Sequence, residues 1–203
     1  IEIEADPYAT QRLDPQPRPD WRNLSLDELS AEVQKAGIVG LGGAALPAHV
    51  KYSLREGVKI KTLIANGAEC EPYLTNDHRL MVEQPKELLK GIEILHTLLG
   101  AEETIIGIEL NKLDAIETLR SHIKPDQPIR VAPLRVKYPQ GDSKMMIKSL
   151  LGIEVPKGLH AADLGIIMNN VGTIAAIAEW FESGMPYIDR RVTVSAPGIP
   201  YPA

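Results

Sequence analysis

Five short runs rich in branched apolar residues punctuate the chain: KTLIAN (61–66), TIIGIE (104–109), IRVAPL (129–134), LGIIMN (164–169) and RVTVS (191–195). Helical patterns fill most of the gaps between them. Pro85 is placed to open a helix, KELLKGIEILHTLLG follows with apolar residues on one face, and Gly100 is placed to stop it. LDAIETLRSHI, SKMMIKSLLG and GTIAAIAEWFESG obey the same logic. Strands that alternate with helices of about 10–15 residues cannot pair as hairpins. They need crossovers, so the pattern predicts βαβ units and an α/β fold with a mainly parallel, helix-covered sheet.

The ends of the chain read differently. IEIEADPYATQRLDPQPRPDW starts with period-2 alternation and then carries Pro7, Pro15, Pro17 and Pro19, which disfavour helix and suit an extended connector. Ser25 with Glu28 three positions on predicts a capping box for a helix over LDELSAEVQKA. The chain opens on Ile and has no signal-peptide pattern, so it reads as an excised piece of a longer protein. A formal net charge of -5 leaves no electrostatic footprint for nucleic acid, and aromatic residues at 4% are too few for a base-stacking platform. No apolar run approaches the roughly 18–20 residues that cross a bilayer. The single cysteine, Cys70, excludes an internal disulfide and any cysteine-ligated zinc or iron–sulfur site built from this segment alone, and suits a reducing compartment.

Four polar loops carry the chemistry. GIVGLGGAALP (37–47) packs Gly37, Gly40, Gly42 and Gly43 into seven positions, close to the dinucleotide fingerprint. In that fingerprint the glycines follow a strand, whereas here a helical pattern precedes them. The loop is then either a plain turn or a place where backbone N–H groups approach a ligand, helped by a helix N-terminus after it. NGAECEPYLTNDHR (66–79) follows the first strand, where ligands bind in open α/β sheets. Glu69, Glu71 and Asp77 crowd there beside Asn66; they form either a solvated acidic loop or a set of acceptors for ribose or ribityl hydroxyls or for Mg²⁺. KYPQGDSK (137–144) carries Tyr138, Gln140 and Gly141 ahead of a helix, and NNVGT (169–173) offers Asn170 and Thr173 as caps or phosphate donors. Each is an ordinary strand-to-helix connection by itself. Together they line one rim of the sheet. Cys70 lacks a His–Asn constellation, the five histidines lack metal-ligand spacing, and neither a nucleophile elbow nor a P-loop is present. No catalytic residue and no metal site is predicted.

In this order, GIVGLGGAALPAHVK, TLIANGAECEPYLTNDHRLM, KYPQGDSKMMI and NNVGTIAAI resemble the C subunits of Rnf ion-translocating electron-transport complexes and, more distantly, the FMN- and NADH-binding subunit of respiratory complex I. Cobalamin reductases of the propanediol-utilisation type share the same core. The resemblance implies a Rossmann-like three-layer domain over residues 26–190 that takes a hydride from NADH onto FMN and passes electrons to iron–sulfur clusters outside this segment. Carried over motif by motif, Gly40, Gly42, Gly43 and Lys51 would hold FMN and the nicotinamide nucleotide, and Asn66, Glu69, Glu71 and Asp77 would meet flavin and nucleotide hydroxyls. Tyr138, Gln140 and Gly141 would flank the nucleotide pocket, and Asn169, Asn170 and Thr173 would hold the FMN phosphate end. Hydride transfer is the cofactors' own reaction, so no general acid or base is required.

The resemblance also assigns the ends. Residues 1–25 would be the last strand of an upstream β module plus a linker, and 191–203 the start of a β-grasp-type module. The partners implied are NADH, other subunits of a membrane electron-transport complex and ferredoxin-type carriers, at the cytoplasmic face of the inner membrane. Against the usual GGAGFPT, residues 42–48 read GGAALPA, and two of the departures matter: Ala45 stands for a glycine and Leu46 for an aromatic residue that in the complex I relatives helps stack the nucleotide. Those departures keep a non-catalytic scaffold open as a rival, beside a cobalamin reductase subunit.

Overall fold

The computed structural model describes residues 15–18, 20–55 and 57–194. Six α-helices and four strands alternate: α1 (Leu26–Lys35), β1 (Thr62–Gly67), α2 (Asn76–Glu83), α3 (Pro85–Leu99), β2 (Glu103–Glu109), α4 (Leu113–His122), β3 (Ile129–Leu134), α5 (Ser143–Leu151), β4 (Ile166–Asn170) and α6 (Val171–Ser183). All pairings among the described strands are parallel, in the order β3-β2-β1-β4. The α/β, Rossmann-like, three-layer expectation is met.

Local chemistry sets the element ends. Ser25 and Glu28 form the predicted capping box, Ser25 N donating to Glu28 Oε2 at 2.7 Å. Pro85 occupies the first turn of α3, and Gly100 at φ 61 closes it in the left-handed conformation. Asp142 caps α5, accepting from Lys144 N and Met145 N.

Side-chain alternation along the strands divides the core. Leu63, Ala65, Ile106, Ile108 and Ile167 face the larger cluster with α1, α2, α3, α4 and α6, whereas Ile64, Ala68, Leu134 and Ile166 face a smaller one under α5. Each fully buried Leu or Ile contributes roughly 1.5–3 kcal/mol. The tightest packing is between α3 and α6, where a Cβ on Gly91 would lie 2.1 Å from the Ile174 carbonyl oxygen. Trp21, in the proline-rich entry, is also buried, and Arg18 N donates to Phe181 O at 2.8 Å.

Three expectations on element bounds change. NDHR is not loop: Asn76 begins α2, a helix too short for its apolar period to stand out. The fourth strand starts at Ile166, because Ala161–Leu164 form a 3-10 turn and Gly165 turns the chain at φ 75. RVTVS is not a strand over 191–194; Thr193 Oγ1 instead accepts from Thr75 N at 3.0 Å, holding this segment against the start of α2. Ser195 and the IEIEAD alternation lie outside the described residues.

Candidate functional site

From β1 the chain proceeds outward to β2 and β3, then returns to place β4 on the other side of β1. This reversal opens a crevice at the carboxyl ends of β1 and β4, the place where open α/β sheets bind ligands. Asn66 and Asn170 are partners in register there.

The glycine loop closes over that crevice. Gly40 N donates to Leu46 O at 2.8 Å and Ala48 N to Ile38 O at 3.0 Å, so residues 41–45 form the tip of a tight turn. Leu41 N donates to Thr173 Oγ1 at 3.0 Å, tying the tip to the first turn of α6. Among the described residues the N–H groups of Gly42, Gly43 and Ala44 make no hydrogen bond. Ala45 adopts φ 50, a conformation that favours glycine, so the loop keeps a glycine-type backbone despite the substitution. No α-helix follows directly; Ala48–Tyr52 is a 3-10 turn, and the helix N-terminus facing the loop belongs to α6.

That 3-10 turn brings Lys51 against β4. Lys51 Nζ donates to Met168 O at 2.8 Å, and no carboxylate lies within ion-pair distance among the described residues. Burial pulls its ammonium below the usual lysine value. Beside it, Asn169 Nδ2 donates to the buried Tyr52 hydroxyl at 2.6 Å, leaving Asn169 Oδ1 buried and, among the described residues, without a partner. A cleft of about 490 Å³, lined among others by Leu46, Val50, Lys51, Ser143 and Met168, opens at this point.

The acidic loop is less free than its composition implies. Glu69, at φ 47, turns its carboxylate onto the start of α2, accepting from Asp77 N at 2.7 Å and His78 N at 3.2 Å. Asp77 is 7% exposed; its Oδ2 accepts from Asn170 Nδ2 at 2.6 Å. Asn170 Oδ1 in turn accepts from Gly172 N at 2.8 Å and caps α6. Burial pushes Asp77 up to about 7, the Asn170 hydrogen bond opposing and the Glu69 and Glu71 charges adding. Burial also raises Glu69, against the two N–H donors.

The remaining predicted residues divide between two surroundings. Asn66 donates from Nδ2 to Gly141 O at 2.9 Å, and Gly141 N donates to Cys70 Sγ at 3.4 Å, so the 138–141 loop is fastened to the end of β1. Gln140 is buried, with Nε2 donating to Ser149 Oγ on α5 at 3.1 Å. Glu71 and Tyr138 line a second cleft of about 380 Å³, together with Tyr73, Lys112 and Lys137. The structure thus gathers the glycine loop, Asp77, Asn170 and Thr173 in one network, and Lys51 with Asn169 in a neighbouring one; Glu71 and Tyr138 face the second cleft.

Lys112 and Glu109, which no sequence motif marks, form a buried ion pair at 3.5 Å under the acidic loop. The only signal was a Glu and a Lys three apart at the end of an apolar run, which resembles any solvated strand end.

Comparison with known proteins adds a lineage. The chain matches the family described as the Nuo51 FMN-binding domain over residues 33–179. It is 41% identical over its whole length to the C subunit of the Na(+)-translocating ferredoxin:NAD(+) oxidoreductase complex of Acetobacterium woodii, covering 46% of that protein. To the C subunit of the ion-translocating oxidoreductase complex of Pectobacterium atrosepticum it is 46% identical, over 90% of this chain and 26% of the relative. The chain therefore spans less than half the length of these relatives. The crystal structure of an air-oxidized NAD+-reducing [NiFe]-hydrogenase superposes with a TM-score of 0.70 at 25% identity, over 81% of this chain and 31% of that one.

Proposed function

Because the chain belongs to the Nuo51 FMN-binding domain family, we propose that it is the flavin domain of a C subunit in an Rnf-type ion-translocating electron-transport complex, taking hydride from NADH. Redox chemistry and flavin follow from the family; the nicotinamide donor, the ferredoxin-type acceptor and the membrane partners belong to the proposal. Among the described residues no helix is long and apolar enough to cross a membrane.

The observation that carries the reading is Lys51, a partly buried cation whose one hydrogen bond among the described residues goes to a backbone carbonyl. An ammonium withdrawn from water without an anion loses solvation that a bound phosphate or flavin oxygen would restore. The surroundings fit such a ligand: among the described residues the N–H groups of Gly42 and Gly43 make no hydrogen bond and the N-terminus of α6 lies against the loop, while the Asn169 amide oxygen, an acceptor, would take a ribityl hydroxyl or flavin N–H. Lys51, the glycine loop, Asn169 and Thr173 would hold the cofactor, with Asn66 and Gly141 forming a wall. FMN supplies a centre that accepts two electrons together and releases them singly. The protein's share is to bind, to orient the rings and to restrict water. The left-handed backbone of Ala45 preserves the loop, which favours a binding domain over an inert scaffold.

The test uses the full-length protein loaded with FMN and mixed anaerobically with NADH. Loss of the flavin's visible absorbance is expected; bound flavin that NADH leaves oxidised would remove the nicotinamide part of the reading.

A further inference from the structure

Lys112 is 5% exposed and Glu109 1%, the most deeply buried ion pair among the described residues. The ammonium is shared: Nζ donates to Ala68 O at 2.8 Å, Asn111 Oδ1 at 3.1 Å and Glu69 O at 3.3 Å, and lies 3.5 Å from Glu109 Oε2. The other carboxylate oxygen of Glu109 accepts from Lys137 N at 3.0 Å. One charge pair therefore gathers the chain leaving β1, β2 and β3.

One of its two carbonyl acceptors belongs to a strained residue. Glu69 holds φ 47, a conformation that is strained for a residue with a side chain and persists only where the surroundings impose it. That conformation sends its carboxylate to Asp77 N and His78 N. Asp77 then holds Asn170, and Asn170 caps α6 beneath the glycine loop.

We propose that Lys112 is a positioning residue: by fixing the carbonyls of Ala68 and Glu69 it sets the acidic loop and, through Glu69, the Asp77–Asn170 pair at the crevice. This rests on the flavin reading only for its functional consequence. A buried ion pair is weak ground for stability, since apolar replacements of similar volume are often neutral. Its value here is the direction of its hydrogen bonds, three of which go to loop acceptors.

The experiment compares the full-length protein with three variants. Glu109→Gln keeps an acceptor for Lys137 N–H and leaves Lys112 on its carbonyls. Lys112→Met with Glu109→Gln removes both charges, so no lone buried charge remains. Lys112→Arg keeps the charge but replaces a point donor by a planar fork. Hydrogen exchange at the Asp77 and His78 amides is measured without flavin, and FMN affinity separately. Measured relative to core amides of β1 in the same variant, exchange is expected to keep the wild-type ratio in Glu109→Gln and to rise at least about tenfold in the double variant and in Lys112→Arg, with FMN Kd rising about tenfold. Wild-type exchange in whichever of those two variants folds would overturn the proposal. A wild-type protein that binds no FMN would sink the flavin reading, while the exchange comparison would still decide the role of Lys112.

Discussion

Asn170 Nδ2 lies 2.6 Å from Asp77 Oδ2, while its own Oδ1 receives Gly172 N at 2.8 Å. One amide thus joins the acidic loop to the N-terminus of α6. Asn170→Ala removes a helix cap and the shorter of two side-chain hydrogen bonds to the buried Asp77 carboxylate, leaving Asn76 Nδ2 on Oδ1 at 3.1 Å. It is expected to cost about 2 kcal/mol in urea unfolding, a cap and a buried hydrogen bond together.

The same pair gives stability a pH dependence. Asp77 moves from 3.8 to about 7 on folding. Below 3.8 both states carry the proton and nothing differs. Between these values the folded state keeps a proton that the unfolded chain has released, so stability falls as pH rises, and above about 7 the full cost of burying the charge is present. Thermal melts across this range should show wild type losing ground to Asp77→Asn as pH rises. A parallel pH profile for the two would contradict it.

Glu69 is tied to the fold as well as to the rim. Because its carboxylate accepts from two N–H groups in the first turn of α2, Glu69→Ala should cost about 1–2 kcal/mol in denaturant unfolding. A freely solvated loop carboxylate would show no loss.

Gly91 tests the packing that carries β4 and α6. A methyl carbon at this position would sit 2.1 Å from the Ile174 carbonyl oxygen, so Gly91→Ala must push α3 and α6 apart. It is expected to destabilise by about 3 kcal/mol despite the better helix propensity of alanine. A neutral or stabilising result in equilibrium unfolding would refute the close crossing.

How far the sequence could be read depended on periodicity and on partner distance. The apolar runs marked all four strands, and Ser25, Pro85 and Gly100 marked helix ends, because each signal is local. α2 was hidden since eight residues opening on Asn-Asp-His-Arg resemble a turn. RVTVS has strand composition, but Thr193 commits its hydroxyl to Thr75 and Asn76. The rim was legible as four loops, yet the partners of its carboxylates were not. Glu69 and Asp77 look like ligand acceptors in sequence, whereas their shortest hydrogen bonds come from donors 8 and 93 residues away that only the fold brings near. Lys112 reaches Ala68 across 44 residues and left no trace.

Lys51, partly buried with its ammonium on the Met168 carbonyl, is the residue proposed to bind an anionic flavin cofactor. Titrating FMN into the full-length protein and into Lys51→Met, with flavin fluorescence and melting temperature read together, tests it most directly. Saturable quenching by wild type is expected, with affinity at least about tenfold weaker in the variant, as for loss of a charge-assisted hydrogen bond, and with the FMN-free proteins melting at the same temperature. Equal FMN affinity in the two proteins, or no binding by wild type, would contradict it.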